Sequence, residues 1–440
     1  MGKLKLNKIQ IENLQFDQIR YYIIFILCAI MPLHSMVIDK AIGNHTTGLI
    51  NLWRDVLIFI LLLIFVYKKN RLIKFQKTSI FCIFWILINL IISIPFSNTT
   101  IYLALNMARI YIMPIILYLT VSSVSLSREQ YSNLINLFWI QGVILTIFGI
   151  IQVFVLGSDF LINLGYGDNG SLNYTYYIGG FYGFQRMVST FSSANDCGLY
   201  LSGLLTISIV SSEYIHEKLK KVYPIGLMIM FLGIVLTFSR TSIIAVTITA
   251  FVYFVKIAHK NINLQSVKIY GTIFLALLIV GFGIDILFLN MRVSKMIASS
   301  FTSTVSKTDA SFLKHLEDMY LPMFDVLKHP FGYWFGTNGP VALSYLGRSH
   351  THLVESSYWL IGYELGLFGM ILYFYPIFYF AYTYIFGKEK IVYENAACAL
   401  AFCDCIAFLM LPYVASFEMP FLMFLFMGLN THRVSKKNRK

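Results

Sequence analysis

Apolar runs long enough to cross a bilayer recur along almost the whole of this chain, and that recurrence limits its fold more than any single residue does. A hydrocarbon core about 30 Å thick needs about 20 apolar residues as a helix. Such runs fall at 21–38, 49–67, 79–96, 101–124, 134–156, 194–212, 223–238, 241–258, 269–290, 367–387, 396–413 and 417–430. The pattern predicts an all-α, polytopic integral membrane protein of about 12 transmembrane helices, with 194–212 and 417–430 read as either re-entrant segments or helices tucked behind others. Composition agrees: 58% of the 440 residues are hydrophobic and 12% charged. A soluble domain carries about 25% charged residues, so a cytosolic enzyme is excluded. The net charge of +13 does not point to nucleic acid, because the basic residues lie between apolar spans rather than on one compact face.

Those basic residues set direction instead. With the N-terminus inside, the inner segments collect most of the lysines and arginines: Lys3 to Arg20, Lys68 to Lys77, Arg128, Lys218 to Lys221, Lys256 to Lys268, Lys388 with Lys390, and Arg433 to Lys440. Both termini are therefore expected in the cytoplasm, and the N-terminus, which lacks a signal-peptidase-like site, is expected to be retained. The six cysteines fall mostly inside apolar runs and give neither a disulfide framework nor a zinc spacing.

Four regions follow: 1–156 with five helices, 157–290 with central helices behind the external loop 157–193, the large external loop 291–366, and 367–440 with the last helices and a basic tail. The first loop is rich in Gly, Asn and Tyr (GYGDNGSLNYTYYIGGFYGF) and ends in QRMVSTFSSAND. In the second, Phe312, Leu316, Met319, Tyr320, Met323 and Leu327 recur at helical spacing opposite Lys314, Glu317, Asp318, Asp325 and Lys328. This predicts an amphipathic helix over 312–328, bent at Pro322, lying in the outer interface before the tenth span as a lid or cap.

An ionisable side chain inside a span costs about 3 kcal/mol, so each needs a partner or a purpose. Arg54 and Asp55 open the second span, Arg109 lies in the fourth, Asp196 starts the sixth, and Asp404 is central in the eleventh. The purely structural account has Arg54 and Asp55 compensating each other, Arg109 paired with a buried acid, and Asp404 accepting bonds from neighbouring helices. Arg186 and Arg240 flank serine- and threonine-containing outer turns (QRMVSTFSSAND and TFSRTS), where a planar fork of donors suits phosphate oxygens. In RSHTHLVESSYWLIGYELGLFG, Arg348, His350, His352, Glu355 and Glu364 cluster. A helix starting near His352 would put His352 and Glu355 on one face, so that a carboxylate could orient a proton-accepting imidazole. No Asp-x-Asp pair, phosphate-binding G-x-x-x-x-G-K-[ST] loop or G-x-S-x-G elbow occurs, which points away from metal-dependent nucleotide-sugar transfer, ATPase and serine-hydrolase chemistry.

Four segments, in order, resemble the O-antigen ligase and O-antigen or capsule polymerase (Wzy-like) superfamily of bacterial envelope enzymes. QRMVSTFSSANDCGLYLSGL is similar to the family's Arg-x-x-(Gly)-Thr-Phe-x-x-Pro-Asn-x-x-Gly pattern and LTFSRTSIIA to its Leu-Thr-x-Ser-Arg turn. HPFGYWFGTNG is like its Pro-x-x-Gly-x-Gly stretch, and VESSYWLIGYELGLFG like its His-Asn-x-x-Leu-(x)-Glu-x-Gly-Leu-x-Gly signature. Ser193 and Ala194 stand where the family often has Asn-Pro, and Glu355 stands where many ligases carry histidine. The resemblance implies a metal-independent, cofactor-free, inverting glycosyltransferase in the bacterial cytoplasmic membrane, using a polyprenyl-pyrophosphate-linked glycan on the periplasmic or extracellular side. Arg186, Arg240, Arg109 and Arg348 are then candidates for gripping the pyrophosphate, and His352, Glu355 or His350 for accepting the hydroxyl's proton. Asn195, Tyr358, Arg54 and Asp55 are candidates for support. Absence of the ligase-type histidine favours a polymerase, working beside a flippase and a chain-length regulator. A ligase acting on lipid A core or a protein hydroxyl, and a lipid-linked oligosaccharide flippase, are the competing readings.

Overall fold

The computed structural model describes residues 8–42, 49–68, 72, 74–96, 100–167, 171–178, 184–258, 310–346, 354–387 and 392–437. The expected ninth span, 269–290, lies outside the described residues, as do Arg348, His350 and His352. The described chain is overwhelmingly helical: α1 (Lys8–Ile30), α2 (Trp53–Tyr67), α3 (Lys74–Phe96), α4 (Ile101–Val121), α5 (Arg128–Ile151), α6 (Gly157–Asn163), α7 (Ala194–Val210), α8 (Tyr223–Leu236), α9 (Arg240–Ala258), α10 (Ala310–Lys328), α11 (Gly339–Leu346), α12 (Ser357–Phe386), α13 (Val392–Met410) and α14 (Glu418–Lys437). The sheet among the described residues is one antiparallel pair, β1 (Tyr177–Ile178) with β2 (Phe184–Gln185), in register Tyr177 opposite Gln185. Among the described residues, six helical stretches are long and apolar enough to cross a membrane: 15–42, 50–67, 75–95, 101–121, 128–163 and 357–386. Residues 194–210, 223–236, 396–410 and 418–430 form shorter apolar helices. The chain has the build of a helical membrane protein.

Side-chain and loop bonds define the two ends of the bundle. At one end, Arg20 reaches Ser123 and Asp17, Lys68 donates to Asp17, Gln76 to Ser122, and Ser132 to the Tyr214 carbonyl. The N-terminal halves of α1, α3 and α5 thus meet the C-termini of α2, α4 and α7. At the other end gather the C-termini of α1, α8 and α13 and the N-termini of α2, α7, α9, α12 and α14. These contacts include Met36 N–H to Thr190, Met187 N–H to Leu236, and Tyr413 Oη to the Asn195 carbonyl at 3.0 Å. Helices lie antiparallel between these ends, and α7, α13 and α14 supply a long run of buried residues at the centre. Capping is orderly: Ser127 and Gln130 form a reciprocal box at the start of α5, and Ser193 accepts from the Asp196 N–H at the start of α7.

α12 begins ten residues before the expected 367, so the large loop ends at 356 rather than 366. A backbone break at Gly366 (φ +70°, ψ 174°) splits the helix in two, and the expected span is its second half. Leu367 N–H donates to the Pro330 carbonyl at 2.9 Å, and the freed Leu365 carbonyl accepts from Trp85 Nε1 at 2.9 Å. A Cβ on residue 366 would stand 2.6 Å from Pro330 O in a conformation essentially restricted to glycine. Gly366→Ala is therefore expected to cost about 3 kcal/mol. Thermal unfolding of detergent-solubilised protein reads this, and an unchanged midpoint contradicts it. The amphipathic helix occurs as α10, Pro322 included.

Candidate functional site

The expected phosphate grip begins at the hairpin. Arg186 follows β2 and extends the ladder, its N–H donating to the Tyr176 carbonyl at 2.8 Å. The next residues are held from three helices. Gln152, at the end of α5, accepts from the Val188 and Ser189 N–H groups at 3.2 and 2.9 Å and donates to Ser189 O at 3.1 Å. Met187 N–H meets Leu236 O at the end of α8, and the Thr190 carbonyl accepts from Met36 N–H. Ser189 sits at φ +51°, a conformation that persists where the surroundings over-determine it.

So mounted, the Arg186 guanidinium spreads over three neutral acceptors. Nε donates to the Thr237 carbonyl at 2.9 Å, Nη1 to the Thr175 carbonyl at 2.9 Å, and Nη2 to Asn195 Oδ1 at 2.8 Å. Burial lowers its pKa from the ordinary value, Tyr413 opposes the shift, and the nearby positive charge of Arg240 adds to it. A guanidinium keeps its proton at neutral pH despite such a shift. Arg240 is the first residue of α9, behind a turn where Phe238 lies at φ +52° and Ser242 Oγ donates to Ser239 Oγ at 2.8 Å. α7 packs on this turn through Gly198. A Cβ there would stand 2.6 Å from Thr237 Oγ1 and 2.9 Å from Ser242 Oγ, so only a bare backbone admits the turn. Two like charges held within mutual influence in a poorly hydrated place repel, and an anion between them would relieve that.

The connector between α13 and α14, residues 411–417, joins the pieces, and sequence reasoning passed over it. Tyr413 Oη donates to the Asn195 carbonyl, and the phenol also bonds to Ser239 and Ser242. Burial raises its pKa. Val414 N–H donates to Ser357 Oγ at 3.3 Å, while Asp196 accepts from Ser193 Oγ at 2.6 Å and Ser192 Oγ at 2.9 Å. The readable signal was Glu418, an acid opening an apolar run in the same way as Asp55 and Asp196 do.

The second charged group lies across this connector. Arg54 and Asp55 each take a different direct partner. Asp55 is taken by Arg109, whose Nε donates to Oδ2 at 3.0 Å with Nη2 also bonded to it, while Arg109 Nη1 reaches Asn106 Oδ1 at 3.3 Å. Arg54 instead faces Glu418 with Nη1 to Oε1 at 3.7 Å and lies over the Phe417 ring at 4.3 Å. His34 feels the charge of both Arg54 and Arg109, and its Nδ1 accepts from Trp53 Nε1 at 3.2 Å. Arg109 is thus committed to structure and poorly placed to leave it for a phosphate.

Around the expected base the geometry is partly different. Val354 to Ser356 are not helical and α12 starts at Ser357, so Glu355 precedes the helix, and the expected partner His352 lies outside the described residues. Glu355 is buried, its N–H donates to the Asp318 carbonyl of α10 at 3.2 Å, and two residues on Ser357 touches the Tyr413–Val414 segment. Tyr358 does not enter a site: its hydroxyl donates to the Cys405 carbonyl and its ring packs on Phe374, Phe378 and Phe408. Glu364 is also structural, taking the Tyr111 hydroxyl and the Gly336 N–H and so tying α4 to the HPFGYWFGTNG stretch. Asp404, expected to accept bonds from adjacent helices, is fully buried with neither oxygen hydrogen-bonded among the described residues.

Among the described residues no group of three or more His, Cys, Asp or Glu side chains could hold a metal ion. No protein-family model matches this sequence, and no curated protein matches it.

Proposed function

We propose that this chain is a polysaccharide polymerase of the O-antigen or capsule type, transferring a glycan from a polyprenyl-pyrophosphate donor to a sugar hydroxyl of a lipid-linked acceptor. The observation that carries the reading is the convergence of Arg186 and Arg240, from segments some 50 residues apart, with Arg186 on neutral acceptors alone. A guanidinium whose hydrogen-bond partners among the described residues are all uncharged retains its charge for a ligand.

In this reading the protein crosses the bacterial cytoplasmic membrane about 12 times with both termini inside. Supporting that direction, the end opposite the arginine site carries Arg20, Lys68, Arg128 and Lys218 to Lys221. The site then opens on the periplasmic or extracellular side. The acceptor oxygen attacks the anomeric carbon as the bond from that carbon to the phosphate oxygen breaks, which inverts the centre. The electron pair goes to the lipid pyrophosphate, whose growing negative charge Arg186 and Arg240 offset. The acceptor's proton passes to Glu355, His350 or His352, of which Glu355 is next to the Tyr413 connector. No cofactor enters the scheme, and a flippase and a chain-length regulator are the partners it requires.

Arg186, Arg240, Arg54, Asp55, Arg109 and Glu418 lie toward one end of the bundle, which favours transfer over transport, since transport uses sites near the midplane. The test is the glycan ladder of a deletion strain complemented with the wild-type gene. Loss of the gene is expected to leave single-repeat glycan on its final carrier. Long chains stranded on the lipid carrier would identify a ligase instead, and an unaltered ladder would end the proposal.

A further inference from the structure

Asp404 lies near the middle of the apolar stretch 396–410 of α13, where an ionised carboxylate costs about 3 kcal/mol. It is fully buried, and neither oxygen has a hydrogen-bond partner among the described residues. Leu400, Ala401, Ala407 and Phe408, one turn away on either side, are buried and apolar as well. Asp55, Asp196, Glu364 and Glu418 differ, each having a donor or a cation beside it. The helices packed on α13 are α7, α9, α12 and α14. Their described charged groups are Asp196, Arg240, Lys256 and Glu418, which lie at helix ends, and Glu364, which is taken by Tyr111 and Gly336; none acts on Asp404. Tyr358 on α12, with Cys403 and Cys405 beside it, are the titratable groups within reach of its charge. A carboxylate stranded in this way takes up a proton instead of staying ionised.

The same face of α13 holds the start of α12. Asp404, Phe408 and Leu411 recur at i, i+4 and i+7, and three successive hydroxyls donate across this seam: Ser356 to the Phe408 carbonyl at 3.2 Å, Ser357 to the Leu411 carbonyl at 2.7 Å and Tyr358 to the Cys405 carbonyl at 2.9 Å. Pro412 has no N–H, so the Phe408 carbonyl lacks its usual partner within the helix and Ser356 fills the place. We infer that Asp404 is a proton-binding site within the membrane domain, occupied while these three bonds hold α12 against α13. On loss of the proton to water, the carboxylate adds negative charge beside a row of carbonyl oxygens and competes for the same hydroxyls. The first turn of α12, next to Glu355, then loosens. The site itself does not depend on the polymerase reading; its bearing on transfer does, through Glu355.

The test is infrared spectroscopy of the full-length protein in detergent, taken as wild type minus Asp404→Asn. A protonated carboxyl without a hydrogen bond is expected as a high-frequency C=O band that the variant lacks. The band should persist at neutral pH, well above the exposed aspartate value of about 3.9. A carboxylate signal in its place overturns the proposal. Loss of the band when sodium chloride replaces choline chloride would make the ligand a sodium ion and overturn the proton assignment. Should Asp404→Asn fail to give monodisperse protein, Asp404→Glu keeps the acid and should shift the band; an unmoved band belongs to another group and overturns the assignment. Loosening the seam with Ser356→Ala and Ser357→Ala together should weaken proton binding at least about tenfold, moving loss of the band about one pH unit lower. The same pH response in both proteins overturns the link to α12.

Discussion

Arg186→Ala is expected to lower polymer formation at least about 100-fold while the protein remains in the membrane, since removing one donor aimed at developing negative charge costs roughly 10²–10³ in rate. The substitution also strips hydrogen bonds from the Thr237 and Thr175 carbonyls and from Asn195. Each is worth about 1 kcal/mol net, so part of the effect is looser seating of the hairpin against α7 and α8. Arg186→Lys separates the two contributions. It keeps a charge but reaches at most one or two of the acceptors, and should lie much closer to alanine than to wild type. The readout is the glycan ladder of a complemented deletion strain with membrane protein quantified in parallel. Ordinary chain length from the alanine variant would remove Arg186 from the mechanism.

Asp55→Asn should damage the fold more than the chemistry. The carboxylate is 11% exposed and accepts two donors of Arg109, which is itself 29% exposed. Removing one partner of such a pair leaves a half-buried guanidinium uncompensated. The full penalty for a buried pair is about 3–5 kcal/mol, and the partial exposure of Arg109 brings the expectation to roughly 2–4 kcal/mol. The double variant Asp55→Asn with Arg109→Gln should recover much of that, because no charge is then stranded. Thermal unfolding in detergent measures both. A single variant as stable as wild type, or a double variant no better than the single, would show that the pair does not couple α2 to α4.

Helices were legible in the sequence because an apolar run of bilayer length has few alternatives once backbone groups must be satisfied internally. α2, α4, α8 and α9 begin within a few residues of the runs that announced them. The start of α12 was hidden because Glu364 interrupts the hydropathy of 357–366, and its two partners, Tyr111 and Gly336, are remote in sequence. The charged pairings were misread for a geometric reason. Residues adjacent on a helix point about 100° apart, so Arg54 and Asp55 face different neighbours, Glu418 and Arg109. Arg186, Arg240 and Asn195, which the fold brings near one another, stood out in the sequence because charge beside short serine- and threonine-containing turns is a local signal. Tyr413 carried none, since its meaning depends on Asn195, 218 positions earlier in the chain.

The bonds from the 411–417 connector have a further consequence. They reach the starts of both α7 and α12. A bundle stitched across one mouth in this way cannot gape there, among the described residues, without breaking both bonds together, so α7 and α12 are held to shift as one unit with the connector rather than independently.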